Sequence, residues 1–325
     1  MRILILGNSW HGNWSKTIHE EIISLGHTAE HIDVRYTKKY HLRILESFRR
    51  RNFFRRLNKS LVEKIEAGNF DVCLVITPYT IPNSFWKHLK EKGLKLIGWW
   101  GDDPMSKGNL SESMSFFDKI YLVDKEWVYT ARYFNKNTYY LPHAVSEKNF
   151  FQTNSADKKI DVLFVGASFD GKMDGRLRAN VLRILHENGI RVSLYGDAGW
   201  KYLFLQYHFL KEIYKGSVNT TSKLNELYNS SKIVLNVHHR QLITGTNQRS
   251  FEVAATGTLQ IADYRQDIKD IFGENIVTFS SPKDLVDKFK YYIDREKERT
   301  AKGSSARKTI QDHTYKQRLS IILDV

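Results

Sequence analysis

The chain has 325 residues, 41% hydrophobic and 26% charged, which suits two folded domains with their own cores and excludes extended disorder. Its 50 Lys and Arg against 36 Asp and Glu leave a net charge of +14, so anionic partners are expected, whether nucleic acid, phospholipid surfaces or phosphorylated metabolites. The single cysteine, Cys73, excludes a disulfide framework and a cysteine-based zinc site, and it fits a reducing cytoplasm.

Short apolar runs alternate with helix-periodic stretches along the whole chain, the pattern of βα units feeding a parallel sheet. In the first half, strands are predicted at 2–7, 27–34, 71–76, 94–99, 119–124 and 138–142. The opening "MRILILGN" has too short an apolar run for a signal peptide, and no stretch approaches the roughly 18 apolar residues of a spanning helix. Any membrane role is therefore expected to be peripheral.

After the second strand comes "LRILESFRRRNFFRRLNKSLVEKI", Leu42 to Ile65. Arg43, Arg49, Arg50, Arg51, Arg55, Arg56, Lys59 and Lys64 oppose Glu46 and Glu63, with Phe48, Phe53, Phe54 and Leu57 interleaved. Three readings are open. The helix rests on an anionic bilayer, it is a solvated face with its phenylalanines in the core, or, least favoured, it meets nucleic acid.

Strand ends of the first half carry three groups able to take a proton: His11, Asp102 and Asp103, the last two in "WWGDDP". Adjacent aspartates cannot aim at one point from an extended backbone. One is expected to bond the turn at Pro104 and the other to stay available, with Asp102 preferred, then His11.

The polar stretch "NFFQTNSADKKID", Asn149 to Asp161, predicts a domain boundary. Beyond it strands are predicted at 161–166, 191–196, 232–238, 258–263 and 275–279. "VLFVGASFDG" repeats the pattern of "ILILGNSWHG" at the chain start: apolar strand, Gly, any residue, Ser, aromatic, any residue, Gly. Two similar Rossmann-like domains would place such a match at their first strands.

The segment "DVLFVGASFDGKMDGRLRANVLRIL" runs from strand through a glycine loop into a helix whose Leu177, Val181, Ile184 and Leu185 share a face. Gly166 and Ser168 lie in the loop, and Lys172, Arg176 and Arg178 follow in the loop and first helical turns. Unpaired amides, the positive end of the helix dipole and these cations would cradle an anion; alternatively the cations only solvate the helix. The spacing is not the GxGxxG of a dinucleotide fold.

The stretch "GTNQRSFEVAATGTLQIADY" sets Glu252 in a short helix between Gly245 and Gly257, the latter a natural left-handed cap, before the next strand. A carboxylate there can accept both hydroxyls of a ribose, while Gly245, Asn247 and Arg249 offer amides and charge to a diphosphate. The plain alternative is a surface Glu252 paired with Arg249. His143, His238 and His239 stand at strand ends without metal-ligand spacing. His238 is a further candidate to hydrogen-bond a donor phosphate.

The second-half stretches "DVLFVGAS", "VSLYGDAGW", "YNSSKIVLNVHHR", "GTNQRSFEVAATGTLQIADY", "DIKDIFGENIVTF" and "DHTYKQRLSIIL", with "WWGDDP" and "LPHAVSEKNF" upstream, resemble the bacterial spore-maturation-protein-like (CgeB-like) glycosyltransferases over most of 95–320. The resemblance implies an α/β GT-B fold of two Rossmann-like domains facing across a cleft: an acceptor domain at 1–150, a nucleotide-sugar donor domain at 151–310, and a final helix at 311–325 crossing back to the first. It implies that Glu252 is the donor-ribose acid, that Arg176, Lys172 or Arg249 faces the diphosphate, and that no metal or other cofactor is needed, since no DxD triplet occurs. The segment "KYLFLQYHFLKEIYKGSV" departs from the family in length and aromaticity. Its Leu203, Leu210 and Tyr214 are expected in the core or cleft wall, with an acceptor or membrane contact as the alternative.

The function expected is transfer of a sugar from a nucleoside-diphosphate sugar to a glycan, lipid-linked or protein acceptor, in polysaccharide biosynthesis, in a bacterial cytoplasm or on the inner membrane face. The rivals are a GT-B sugar-nucleotide epimerase and a non-catalytic basic protein that binds RNA or membrane.

Overall fold

The computed structural model describes residues 1–8, 14–34, 43–76, 78–79, 81–106, 110–153 and 157–324. It divides into two compact units, Met1–Pro142 with Tyr315–Val325, and His143–Thr314.

The first unit holds a six-stranded parallel sheet of β1 (Arg2–Gly7), β2 (Thr28–Asp33), β3 (Val72–Val75), β4 (Lys95–Trp100), β5 (Lys119–Leu122) and β6 (Thr138–Tyr140), in the order β2-β1-β3-β4-β5-β6. The central strands are apolar nearly without interruption because helices cover both faces of a parallel sheet; all four residues of β3 are buried. Two tryptophans of β4 join the core and still satisfy their indole N–H groups: Trp99 donates to the Leu141 carbonyl at 3.2 Å and Trp100 to that of Val75 at 3.1 Å. The helix Tyr315–Leu323 belongs to this unit. It is tied there by Tyr315 against Trp99, by Arg318 Nε donating to the Pro142 carbonyl, and by Tyr121 Oη donating to that of Ile321.

The second unit holds a five-stranded parallel sheet of β7 (Ile160–Val165), β8 (Val192–Tyr195), β9 (Ser231–Asn236), β10 (Leu259–Asp263) and β11 (Val277–Phe279), ordered β11-β10-β9-β7-β8. One face packs Trp200, Leu203, Leu210 and Phe289 against the strands, and the other packs Tyr228, Phe251, Phe272 and Ile310. Leu203 and Leu210 are core, as one expectation had it. Tyr214 is partly buried against the same cluster, with its hydroxyl donating to the carbonyls of Gly196 and Asp197.

The structure begins the second unit at His143, ahead of the polar stretch expected to part the domains. Val145 N donates to the His313 carbonyl and Phe150 is buried in the second unit's core, so this connecting stretch is already committed to that unit.

All eleven predicted strands are present within a few residues of their expected bounds. In both sheets the first strand lies between the second and the third, so the chain reverses direction across the sheet between β1 and β3 and again between β7 and β9. In open parallel sheets ligands bind at the carboxyl ends of the strands flanking such a switch point. Fold topology alone therefore directs attention to the loops after β7 and β9. Among the described residues, no helix is long and apolar enough to cross a membrane.

Candidate functional site

The loop after β7 is built on close backbone approach. A Cβ on Gly175 would lie 1.9 Å from the Ser168 carbonyl oxygen, and one on Gly196 would lie 2.2 Å from that of Gly166, so neither position tolerates a side chain. Phe169, Asp170 and Gly171 follow one another in the left-handed region, at φ 52°, 53° and 70°. A bulky residue such as Phe169 is rarely found there. Its ring is held between the Arg178 guanidinium and the His239 ring, each 4.8 Å away. Ser168 fixes the other end: its hydroxyl and amide donate to the two carboxylate oxygens of Asp197 at 2.5 and 2.8 Å. The predicted Ser168 is thus a fastener between the loops after β7 and β8, and its hydroxyl is already spent. The carbonyl of Gly166 is likewise used, accepting from Trp200 Nε1 at 2.8 Å.

In the helix Met173–Glu187 the expected face is inward at Leu185 and partly at Val181 and Ile184, but Leu177 is exposed and the buried side is turned toward Asp174, Gly175, Arg178, Ala179 and Leu182. Lys172 and Arg176 are both exposed, and Arg176 Nε turns back to the Gly171 carbonyl. Arg178, one helical turn beyond Asp174, points at the sheet edge. Its Nη1 donates to the Ala167 carbonyl at 2.8 Å and its Nη2 to that of Val237 at 2.9 Å. One guanidinium therefore spans the switch point between β7 and β9.

From the end of β10 a chain of hydrogen bonds runs across the sheet edge. Asp263 accepts from the His238 amide at 2.8 Å and sits 2.7 Å from its Nδ1. With the Nδ1 proton directed at the carboxylate, Nε2 accepts from the Thr246 hydroxyl at 2.9 Å, and Thr246 and Ser250 are 2.6 Å apart. Ser250 accepts from Asn236 Nδ2 at 3.2 Å, and the side-chain Oδ1 of Asn236 accepts from Asn247 Nδ2 at 2.9 Å and from Arg249 Nη1 at 3.4 Å. Burial lowers the His238 imidazole, against the pull of Asp263, so it is held neutral. Burial by itself would raise Asp263, yet His238 and Arg265, 2.9 Å away, hold it below the usual carboxylate range. His238, expected to contact a phosphate, has both ring nitrogens engaged within the protein. Its geometry is that of a positioning residue for Asn247 and Arg249.

Asn247 is the extended N-cap of the helix Gln248–Ala255, and because its side chain is paired with Asn236 it does not cap the helix. The first amides of that helix are left without a side-chain acceptor, the arrangement that receives anions. Gly245 is buried just before it, and Gly257 closes the helix at φ 68°, the left-handed cap expected of it.

Glu252 lies on the buried face of this helix, not on the surface as its plain reading required. Tyr228 donates its hydroxyl to Glu252 Oε2 at 3.3 Å. Burial pushes the carboxyl up to about 7, although Arg249, Tyr228 and Gln248 all favour its charged form. A folded value above the ordinary 4.5 means that the stability this site contributes is full below about pH 4.5 and is lost as the pH rises through about 7. Ionised Glu252 is therefore held at a cost near neutrality, which a ligand donating hydroxyls to it would offset.

Two guanidiniums share this edge. Burial, with Arg249 adding repulsion, brings Arg178 down to about 10. The Nε atoms of Arg178 and Arg249 are both buried without a hydrogen-bond partner. The structure thus gathers Glu252, Arg249, Asn247, Gly245 and, of the three cations expected to cradle an anion, Arg178 alone, and it adds Tyr228, Asn236 and Asp263, which the sequence did not single out. What sets Arg178 apart from Lys172 and Arg176 in the sequence is its helical spacing with the buried Leu182 and Leu185.

In the first unit, Asp103 makes the turn: its Oδ1 accepts from the Met105 amide at 2.9 Å and its carbonyl from the Ser106 hydroxyl at 2.9 Å. Asp102, half-buried at the end of β4, is hydrogen-bonded to the Tyr79 side chain in the loop after β3. Burial first, then Asp102, raises that phenol well above its ordinary value, so Tyr79 remains a donor. His11 lies outside the described residues. Among the described residues, no group of three or more His, Cys, Asp or Glu could hold a metal ion.

Residues 178–324 match the family model described as glycosyl transferase-like. No curated protein matches the chain. Among solved structures it is similar to a sucrose-phosphate synthase from Thermosynechococcus elongatus, at 10% identity over 100% of this chain and 98% of that one, with a TM-score of 0.75. It is similar to a trehalose-6-phosphate structure from E. coli bound with UDP-2-fluoro glucose, at 11% identity over 100% and 98%, TM-score 0.71. An alpha-glucosyltransferase in complex with UDP and a 13-mer DNA aligns at 11% identity over 99% and 100%, TM-score 0.67. The chain has the GT-B fold, and its second half resembles glycosyl transferase-like domains in sequence.

Proposed function

We propose that the protein is a glycosyltransferase that moves a sugar from a nucleoside-diphosphate sugar to a hydroxyl of a glycan, lipid-linked or protein acceptor. The observation that carries this reading is the meeting of two guanidiniums, each with a buried unpartnered Nε, and the buried carboxylate of Glu252 at the switch point between β7 and β9. Like charges brought together at a dry edge are stabilised by an anion, and a nucleotide diphosphate supplies one on the same molecule as the ribose hydroxyls that Glu252 can accept. Arg249 and the first amides of the helix Gln248–Ala255 take the diphosphate, with Lys172 and Arg176 as outer cations. Arg178 holds the two strand ends in register. As the bond to the sugar breaks, negative charge grows on the leaving diphosphate, and fixed cations stabilise that state more than the ground state. Those cations fill the role a metal ion would otherwise play, so we propose a metal-independent transfer. Asp102, with Asp103 committed to its turn, takes the proton of the acceptor hydroxyl.

The finer assignment follows the CgeB-like resemblance: a bacterial enzyme of polysaccharide biosynthesis, placed in the cytoplasm in keeping with its lone buried Cys73. UDP-glucose is the first donor to test, since the structural neighbours include proteins bound with UDP-2-fluoro glucose and with UDP. Incubation with UDP-, GDP-, CDP- and dTDP-sugars should release nucleoside diphosphate from one class only, and faster when a bacterial glycan fraction is added. An altered nucleotide sugar formed from donor alone would mean the epimerase, and no turnover of any donor would return the basic binding protein.

A further inference from the structure

The helix Arg43–Gly68 takes no part in the proposed transfer, and its two halves differ. The second half is anchored by Leu61 and Ile65, one turn apart and buried in the first unit. From 45 to 60, Glu46 is the only buried side chain. In that span Arg49, Arg50, Arg51, Arg55, Arg56 and Lys59 stand against the single carboxylate of Glu46. Leu45, Phe48, Arg51, Arg55 and Lys59 recur at three- and four-residue spacing, so they form one stripe, with Leu45, Phe48 and Lys59 turned away from Leu61 and Ile65 and with Arg51 and Arg55 flanking that anchored side. Leu45 is 51% exposed and Phe48 58%, and the Arg51 guanidinium lies 5.4 Å from the Phe48 ring centroid.

We propose that this half-helix docks the protein on an anionic lipid bilayer, its cations among the headgroups and Leu45 and Phe48 in the interface. Charge complementarity selects the surface: a line of cations with almost no acid between them repels itself in water and is relieved along an extended anionic plane. The apolar pair selects lipid over nucleic acid. A base-binding stripe would present planar groups along its length, whereas Leu45 cannot stack, and a bilayer interface accepts an aliphatic and an aromatic side chain alike.

Flotation of the full chain with vesicles tests this. Retention is expected on phosphatidylglycerol-containing vesicles, weakened by high salt, and not on pure phosphatidylcholine. The triple variant Arg51→Glu, Arg55→Glu, Arg56→Glu should bind at least about tenfold more weakly, and Phe48→Ser should weaken retention with every cation in place. All these side chains are exposed or partly so, and melting temperatures should match the wild type; if the triple variant fails to fold, the glutamine set at the same positions replaces it. Equal retention on both vesicle types, unweakened variants, or binding of single-stranded RNA with no vesicle retention would each overturn the proposal. None of these outcomes bears on nucleotide binding by the second unit, so the glycosyltransferase reading would stand or fall separately.

Discussion

Arg249→Ala is expected to lower turnover of the nucleoside-diphosphate sugar by about a hundred- to a thousandfold, the effect of removing one preorganised donor aimed at developing charge. Two losses combine. The diphosphate loses its guanidinium, and Glu252 loses the nearest charge that favours its ionised form. With that field gone the carboxyl titrates higher still, so at neutral pH it is protonated and a poorer acceptor for ribose hydroxyls. The defect should therefore ease partly as the pH is raised. Arg249→Lys keeps the charge but not the planar fork and should recover only part of the rate. Full activity in Arg249→Ala would remove this residue from the site.

The second large effect is expected in the first unit. Asp102→Asn should reduce turnover about a hundredfold or more while leaving nucleotide affinity unchanged, because an amide cannot take the acceptor's proton. Its neighbour serves as the control: Asp103 closes the turn through the Met105 amide and the Ser106 hydroxyl, so Asp103→Asn should affect stability more than chemistry. Tyr79→Phe removes the phenol bonded to Asp102 and should cost less than Asp102→Asn. Steady-state rates at saturating donor, set beside calorimetric affinities, separate these cases. An active Asp102→Asn enzyme would assign the proton to a different group.

The strands could be read from the sequence because a parallel sheet covered on both faces leaves uninterrupted apolar runs between helical stretches. The carboxylate of Glu252 could also be read, since Gly245 and Gly257 frame a short helix that leads directly into β10. Helix phase was harder. In Met173–Glu187 a buried Arg178 occupies a position that periodicity assigns to an apolar residue, so periodicity draws the apolar stripe through Leu177, which is exposed. The polar contacts of the site were not legible at all. Arg178 reaches the carbonyl of Val237 and His238 reaches Asp263, partners far apart in the chain that no local spacing joins. For the same reason Ser168 and His238 look like free donors in the sequence, and only the tertiary contacts show what their hydrogen bonds are used for.

A donor pocket whose ribose contact is ionised Glu252 is put to the test by calorimetric titration with UDP-glucose at pH 6 and pH 8. Because the free carboxyl titrates at about 7, it is mostly protonated at the lower pH and mostly charged at the higher. Wild-type affinity should rise by up to about tenfold between them. Glu252→Gln should bind more weakly by about 1 to 3 kcal/mol at pH 8 and lose most of the pH dependence. Unchanged affinity in Glu252→Gln would remove Glu252 from the ribose contact, and a wild-type protein that binds neither UDP-glucose nor any other nucleoside-diphosphate sugar would rule out the donor pocket.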